Sequence, residues 1–175
     1  MKIARVTLSD RATAGVYADA SGPEIERIAA QHFAEPLEWV RVLLPDDRAA
    51  VEAALRRLAD DEHCPLILTT GGTGPAPRDI TPEATRAVIE KELPGFGEVM
   101  RLHSFAKVKT AILSRATAGV RGRSLIVNLP GRPRAIEECL PLLIPAIAEG
   151  LDHIAGFRPR LASMTEKNIA PSNPG

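Results

Sequence analysis

The chain has 175 residues, 45% of them hydrophobic and 25% charged, a balance that fits one globular domain with a sizeable core. Lys plus Arg and Asp plus Glu stand at 22 each and aromatics make up only 3%, which argues against a bulk field or stacking platform for nucleic acid. There is no apolar run long enough to span a membrane, and the chain starts directly on a strand pattern without a signal peptide, so the expected location is cytoplasmic.

Lys2 to Leu8 alternates and carries β-branched Ile3, Val6 and Thr7, the pattern of a first strand. Ser9-Asp10-Arg11-Ala12 leaves its carboxyl end and a small-residue loop follows to Ala20. Ser21-Gly22-Pro23-Glu24 opens a helix with a capping-box pattern, and Ile25, Ile28 and Ala29 form its apolar face. Leu37 to Leu44 reads as a second strand, with Trp39 as a packing residue. Pro45-Asp46-Asp47 ends it, and one of these Asp residues suits the cap of a helix built on Val51, Ala54, Leu55 and Leu58. A third, buried strand is expected at Pro65-Leu66-Ile67-Leu68, followed by a glycine-rich loop and a helix from Thr81, as its cap, to about Glu92.

Pro94-Gly95-Phe96-Gly97-Glu98 breaks the chain ahead of another short helix through Met100 and Phe105. Ser124 to Leu129 is a late strand, and Pro130-Gly131-Arg132-Pro133 turns into a long apolar helix that Pro141 and Pro145 should kink or split. Residues 1–157 are expected to form one domain, and 158–175 an irregular or partner-packed tail. Cys64 and Cys139 lack C-x-x-C spacing and read as reduced, half-buried thiols. Alternating strands and helices imply a mostly parallel central sheet between helical layers, a three-layer α/β sandwich.

The stretch Thr69-Thr70-Gly71-Gly72-Thr73-Gly74 is the strongest chemical signal. Closely spaced glycines allow positive φ and let a ligand approach the backbone, and the following helix start favours anions. It is not a Walker loop, because no Lys-Ser/Thr pair follows, and its spacing is not G-x-G-x-x-G. Polar loops after four strands would gather at one sheet edge: Ser9-Asp10-Arg11, Asp46/Asp47, the glycine loop with Asp79, and Pro130-Gly131. Asp79 suits metal or proton chemistry as well as it suits pairing with Arg78 or a backbone amide. Arg11 and Arg115 fit either a surface ion pair or an anion-facing role. Two carboxylates beside an amide cradle suit magnesium and nucleotidyl transfer. The four histidines show no ligand spacing, and no G-x-S-x-G elbow is present.

With these motifs in place, the sequence closely resembles the molybdenum-cofactor biosynthesis family, in particular its MogA/MoaB-type molybdopterin adenylyltransferases. The matching motifs are Ser9-Asp10-Arg11-Ala12, Leu44-Pro45-Asp46, Thr69 to Gly74, Arg78-Asp79-Ile80-Thr81-Pro82, Pro94 to Glu98, Ile112-Leu113-Ser114-Arg115 and Asn128-Leu129-Pro130-Gly131. The resemblance implies transfer of AMP from ATP to the terminal phosphate of molybdopterin, with magnesium required and pyrophosphate released. It implies that Asp46 and Asp79 are the essential acidic residues and metal ligands. Ser9, Asp10, Arg11, Thr70, Gly71, Gly72, Thr73, Gly74, Ser114, Arg115, Pro130 and Gly131 are the expected substrate-binding set. It also implies a homotrimer and delivery of product to a separate molybdate-inserting protein. The alternative within the same family is a non-catalytic molybdopterin carrier.

Overall fold

The structure, a computed structural model, describes residues 1–162. Strands β1 (Lys2–Leu8), β2 (Glu38–Leu44), β3 (Leu66–Thr70), β4 (Lys91–Glu92), β5 (Ala118–Arg121) and β6 (Ser124–Leu129) form one sheet in the order β2-β1-β3-β6-β5-β4. The first four in that order are parallel, and β5 and β4 add an antiparallel edge. The helices are α1 (Asp10–Thr13), α2 (Ser21–His32), α3 (Arg48–Arg56), α4 (Thr81–Arg86), α5 (Gly95–Phe105) and α6 (Pro133–Ala155). A π-helical turn extends α3 over Arg57–Asp61, and a 3₁₀ helix spans Lys109–Leu113.

The sheet separates two cores. On one face, Ile3, Leu66, Leu68, Leu125 and Val127 pack against α2, α5 and α6 through Ile25, Ile28, Met100, Ile136, Leu140 and Ile147. On the other, Ala4, Val6, Ile67 and Ile126 meet Val51, Leu55, Leu58, Ala84 and Val88. Alternate residues of each central strand serve opposite faces, and burial on both sides explains why β3 and β6 read as unbroken runs. The observed three-layer arrangement is the expected one.

Several local expectations are corrected. The helix from Thr81 ends at Arg86, because the Glu90 and Leu93 amides donate instead to the carbonyls of Val120 and Ala118. Sheet pairing at the edge thus overrides a short helical pattern. Pro141 and Pro145 do not split α6, which is continuous. Pro145 is exposed and Pro141 half-buried, so the carbonyls they leave without donors lie on the water side of the helix. Ser21 is not an N-cap: Asp19 Oδ1 accepts from the Ser21 and Gly22 amides at 3.1 and 2.9 Å. Both cysteines are fully buried rather than half-buried, and both are free. Of the expected tail, residues 160–162 hydrogen-bond to 32–34, and 163–175 lie outside the described residues. Among the described residues no helix is long and apolar enough to cross a membrane.

One buried polar cluster fixes how β3 lies on β6. Asn128, fully buried, donates to Thr69 Oγ1 at 3.0 Å and to Thr85 Oγ1 at 2.9 Å. Its carbonyl oxygen accepts from the Thr117 amide at 3.4 Å. A buried amide with partners on three sides costs little to bury and tolerates few displacements.

Candidate functional site

Parallel pairing puts the carboxyl ends of β1, β2, β3 and β6 on one edge, with Leu8 opposite Leu44, Thr7 opposite Thr70, and Thr70 opposite Leu129. The loops that leave these ends therefore share a rim. Ser9 caps α1 by accepting the Ala12 amide at 3.1 Å, and its own amide donates to the Leu44 carbonyl at 2.9 Å. Asp10 and Asp46 exchange bonds: the Asp10 amide donates to Asp46 Oδ2 at 3.2 Å, and the Asp46 amide to Asp10 Oδ1 at 3.0 Å. Arg78 reaches across to form an ion pair with Asp10. Asp47 caps α3 through the Ala50 amide at 2.8 Å, which leaves Asp46 as the carboxylate facing the glycine loop.

That loop adopts backbone only glycine takes readily. Gly71 and Gly72 have φ of +94° and +61°. The loop is tied down by Thr81, whose amide donates to the Gly72 carbonyl at 3.0 Å and whose hydroxyl donates to the Gly71 carbonyl at 2.7 Å. Thr81 thus holds the loop rather than capping α4, the role its position suggests; the N-cap is Ile80. A Cβ on Gly72 would stand 3.2 Å from Asp46 Oδ1, so the acidic side chain and the loop backbone are in direct register. Asp79 lies beside Gly74 in the same way, its Oδ2 2.7 Å from where a Gly74 Cβ would stand and accepting the Ala76 amide at 2.9 Å.

Burial pushes the Asp46 carboxyl above the ordinary carboxylate value, and the charges of Asp10 and Asp79 add to the push, while the Asp10 amide and Arg78 oppose it. Asp46 and Asp79 each engage one oxygen with a backbone amide and keep the other without a hydrogen bond among the described residues. Two such oxygens in mutual repulsion suit a hard divalent cation. Among the described residues no group of three or more His, Cys, Asp or Glu side chains is placed to hold a metal. A cation here would therefore draw the rest of its shell from water and substrate phosphates.

Arg115 clasps the loop from the far side. Its amide donates to the Thr73 carbonyl at 2.9 Å, Nε to the Gly74 carbonyl at 2.8 Å and a terminal nitrogen to the Asp79 carbonyl at 2.7 Å, and it ion-pairs with Glu83. The expected substrate-binding set falls into three groups. Ser9, Thr70, Gly71 and Gly131 line one cavity of about 190 Å³, where Thr70 Oγ1 also donates to the Pro130 carbonyl at 2.7 Å. Asp10 stands with Asp46 at Gly72, and Gly74 with Asp79. Ser114 and Arg115 border a separate, shallower cavity of about 340 Å³, together with Arg86 and Arg101. Arg11 lies over the Tyr17 ring, 5.1 Å from its centroid.

The family described as "Probable molybdopterin binding domain" (MoCF_biosynth) matches residues 4–149. This chain belongs to the molybdenum-cofactor biosynthesis family. Among its relatives, the molybdopterin adenylyltransferase of Helicobacter pylori strain J99 is 48% identical over 169 residues, 97% of this chain and 94% of that protein. The enzyme of the same name from Escherichia coli K12 is 49% identical over 140 residues, 80% of this chain and 72% of its own. The solved structure of the molybdopterin biosynthesis enzyme MoaB from Thermus thermophilus superposes with a TM-score of 0.83 at 41% identity, covering 91% of this chain and 99% of that one.

Sequence reasoning missed Tyr17 and Asp19 on the rim and gave Arg78 and Thr81 other roles. Arg78 pairs with Asp10 rather than Asp79, and Thr81 bonds the loop. Tyr17 lines the smaller cavity, and Asp19 anchors the segment that carries it. Of the two missed residues only Tyr17 had a local signal, as the chain's one tyrosine set among small residues after a strand.

Proposed function

We propose that the protein is a molybdopterin adenylyltransferase, using ATP as co-substrate and magnesium as the metal. A terminal phosphate oxygen of molybdopterin attacks the α-phosphorus of ATP, the bond from that phosphorus to the bridging oxygen breaks, and pyrophosphate leaves. The observation that carries the reading is Asp46 Oδ1 beside Gly72, with Asp79 beside Gly74: two carboxylates stand against the backbone of one glycine loop. Asp46 and Asp79 would hold the magnesium ion, which supplies charge neutralisation at the transferring phosphoryl group. The chain's own part is to orient. The Gly71–Gly74 amides seat the phosphates, and Arg115 and Thr81 keep that cradle rigid before substrate arrives.

In this reading residues 1–157 form the catalytic domain, the protein works in the cytoplasm, and its product passes to a molybdate-inserting protein. A homotrimer would cover the apolar face on which α5 packs against the 3₁₀ helix, where Leu102 and Ile112 are 75% and 66% exposed. The test is Asp79→Asn assayed for pyrophosphate release and for molybdopterin binding. Transfer is expected to collapse while binding stays close to wild type. Pterin bound by the wild-type protein with no pyrophosphate released would instead identify a carrier, and equal loss of binding and transfer in Asp79→Asn would remove that carboxylate from the chemistry.

A further inference from the structure

The loop between α1 and α2 presents the chain's one tyrosine to the cavity at the carboxyl ends of β1 and β3. Tyr17 is 46% exposed, so packing does not place its ring. Two pins do. Its hydroxyl is 2.7 Å from Ser9 Oγ on the rim. Two residues on, Asp19 Oδ2 accepts from Arg5 at 2.6 Å and from Thr7 Oγ1 at 2.9 Å, while Oδ1 holds the first two amides of α2. Arg5 and Asp19 are each only 12% exposed, so this ion pair is largely shielded from water and salt. The rest of the loop, residues 14–18, is exposed. A segment with little packing is thus fastened through the ring's own hydroxyl and again two residues on, with the ring held half in water.

Keeping such a ring exposed forgoes the burial that usually stabilises a tyrosine, and the Arg11 guanidinium lies over one face and polarises it, so a ligand ring would stack on the other. The same cavity is bordered by Gly71, where the phosphate cradle begins, and by the hydroxyl of Ser9. Its volume of about 190 Å³ is large enough to admit a planar ring system. We propose that Tyr17 is a substrate-contacting residue, stacking on the planar nitrogen heterocycle of a ligand whose phosphate runs toward Gly71–Gly74. This rests on the adenylyl-transfer reading, in which both substrates, a pterin and an adenine nucleotide, join such a ring to phosphate. Asp19 and Arg5 are positioning residues that fix the ring's place.

The experiment compares wild type, Tyr17→Phe and Tyr17→Ala in steady-state transfer, varying molybdopterin and magnesium-ATP separately, and in calorimetric titration with each ligand alone. Tyr17→Ala is expected to raise KM and Kd for one of the two ligands about tenfold, the scale of a lost ring stack, and to leave the other near wild type. The affected ligand identifies which ring lies there. Tyr17→Phe keeps the ring but loses its bond to Ser9, so it should weaken that ligand clearly less than Tyr17→Ala does, and the melting temperature should move little for a side chain this exposed. Unchanged affinities in Tyr17→Ala, equal weakening of both ligands, or Tyr17→Phe as damaging as Tyr17→Ala would each overturn the proposal. Absence of transfer by the wild-type protein would sink the adenylyl-transfer reading alone, because the titrations still report on Tyr17.

Discussion

Replacing Gly72 by alanine tests the coupling between the loop backbone and the acidic rim. Gly72 sits at φ +61°, and a methyl group there would lie 2.5 Å from Thr81 Oγ1 and 3.2 Å from Asp46 Oδ1. Left-handed backbone costs an alanine about 1–2 kcal/mol. Relieving the contact turns the Thr81 hydroxyl off the Gly71 carbonyl, which forfeits a hydrogen bond contributing about 0.5–1.5 kcal/mol. Gly72→Ala should therefore lose about 1.5–3.5 kcal/mol in all, lowering Tm by about 3–14 °C for a chain of this length. Gly15→Ala is the control, since it has φ +71° but nothing within 4 Å of the added methyl, and so bears the backbone cost alone. In a cycle with Thr81→Ala, the double variant should be less destabilised than the sum of the singles by about 1 kcal/mol, because the crowding partner is gone. Calorimetric melts of wild type and the four variants measure this. Equal melting of Gly72→Ala and Gly15→Ala, or additivity in the cycle, would refute the claim that Thr81 and Gly72 are in tight contact.

Other perturbations probe parts of the molecule away from that contact. The Glu26 carboxyl is held below its ordinary value by the hydrogen bonds of Arg41 and then Arg5, against the opposing effect of burial. A group depressed in the folded state contributes stability above its unfolded value and loses it as pH falls through the folded one. Wild type should therefore lose melting temperature below about pH 4.5 more steeply than Glu26→Gln, and parallel acid profiles would contradict this. Leu102→Glu should convert the proposed trimer to monomer in sedimentation experiments without unfolding it, since the side chain is 75% exposed within one chain. A mass unchanged from wild type would place the subunit contact elsewhere.

The strands of the parallel sheet and the glycine loop were legible because each depends on local chemistry. Runs such as Leu66–Thr70 and Ser124–Leu129 are long enough and apolar enough to name a strand buried on both faces. The rim followed from parallel topology alone, which brings Asp46 to Gly72 although 26 positions separate them in the sequence. The misses came where a side chain had two suitors. Thr81 and Ser21 carry capping chemistry, but the nearby carbonyls of Gly71 and Gly131 take their hydroxyls instead. Edge strands β4 and β5 are too short to leave a periodic trace, and β4 exists only because β5 offers it partners. Arg115 gave no clue that it would face three loop carbonyls and Glu83, because its partners lie 32 to 42 positions back in the chain.

The Asn128 amide has a consequence at the rim. It meets Thr69 and Thr85 only when β6 stands at its observed height beside β3, and a slip of one residue would swing the amide onto the opposite face. The same slip would carry Pro130-Gly131 away from Thr70 and open the cavity that Thr70 and Gly131 line. An interior side chain outside the rim thus sets the vertical alignment of two loops of the proposed site.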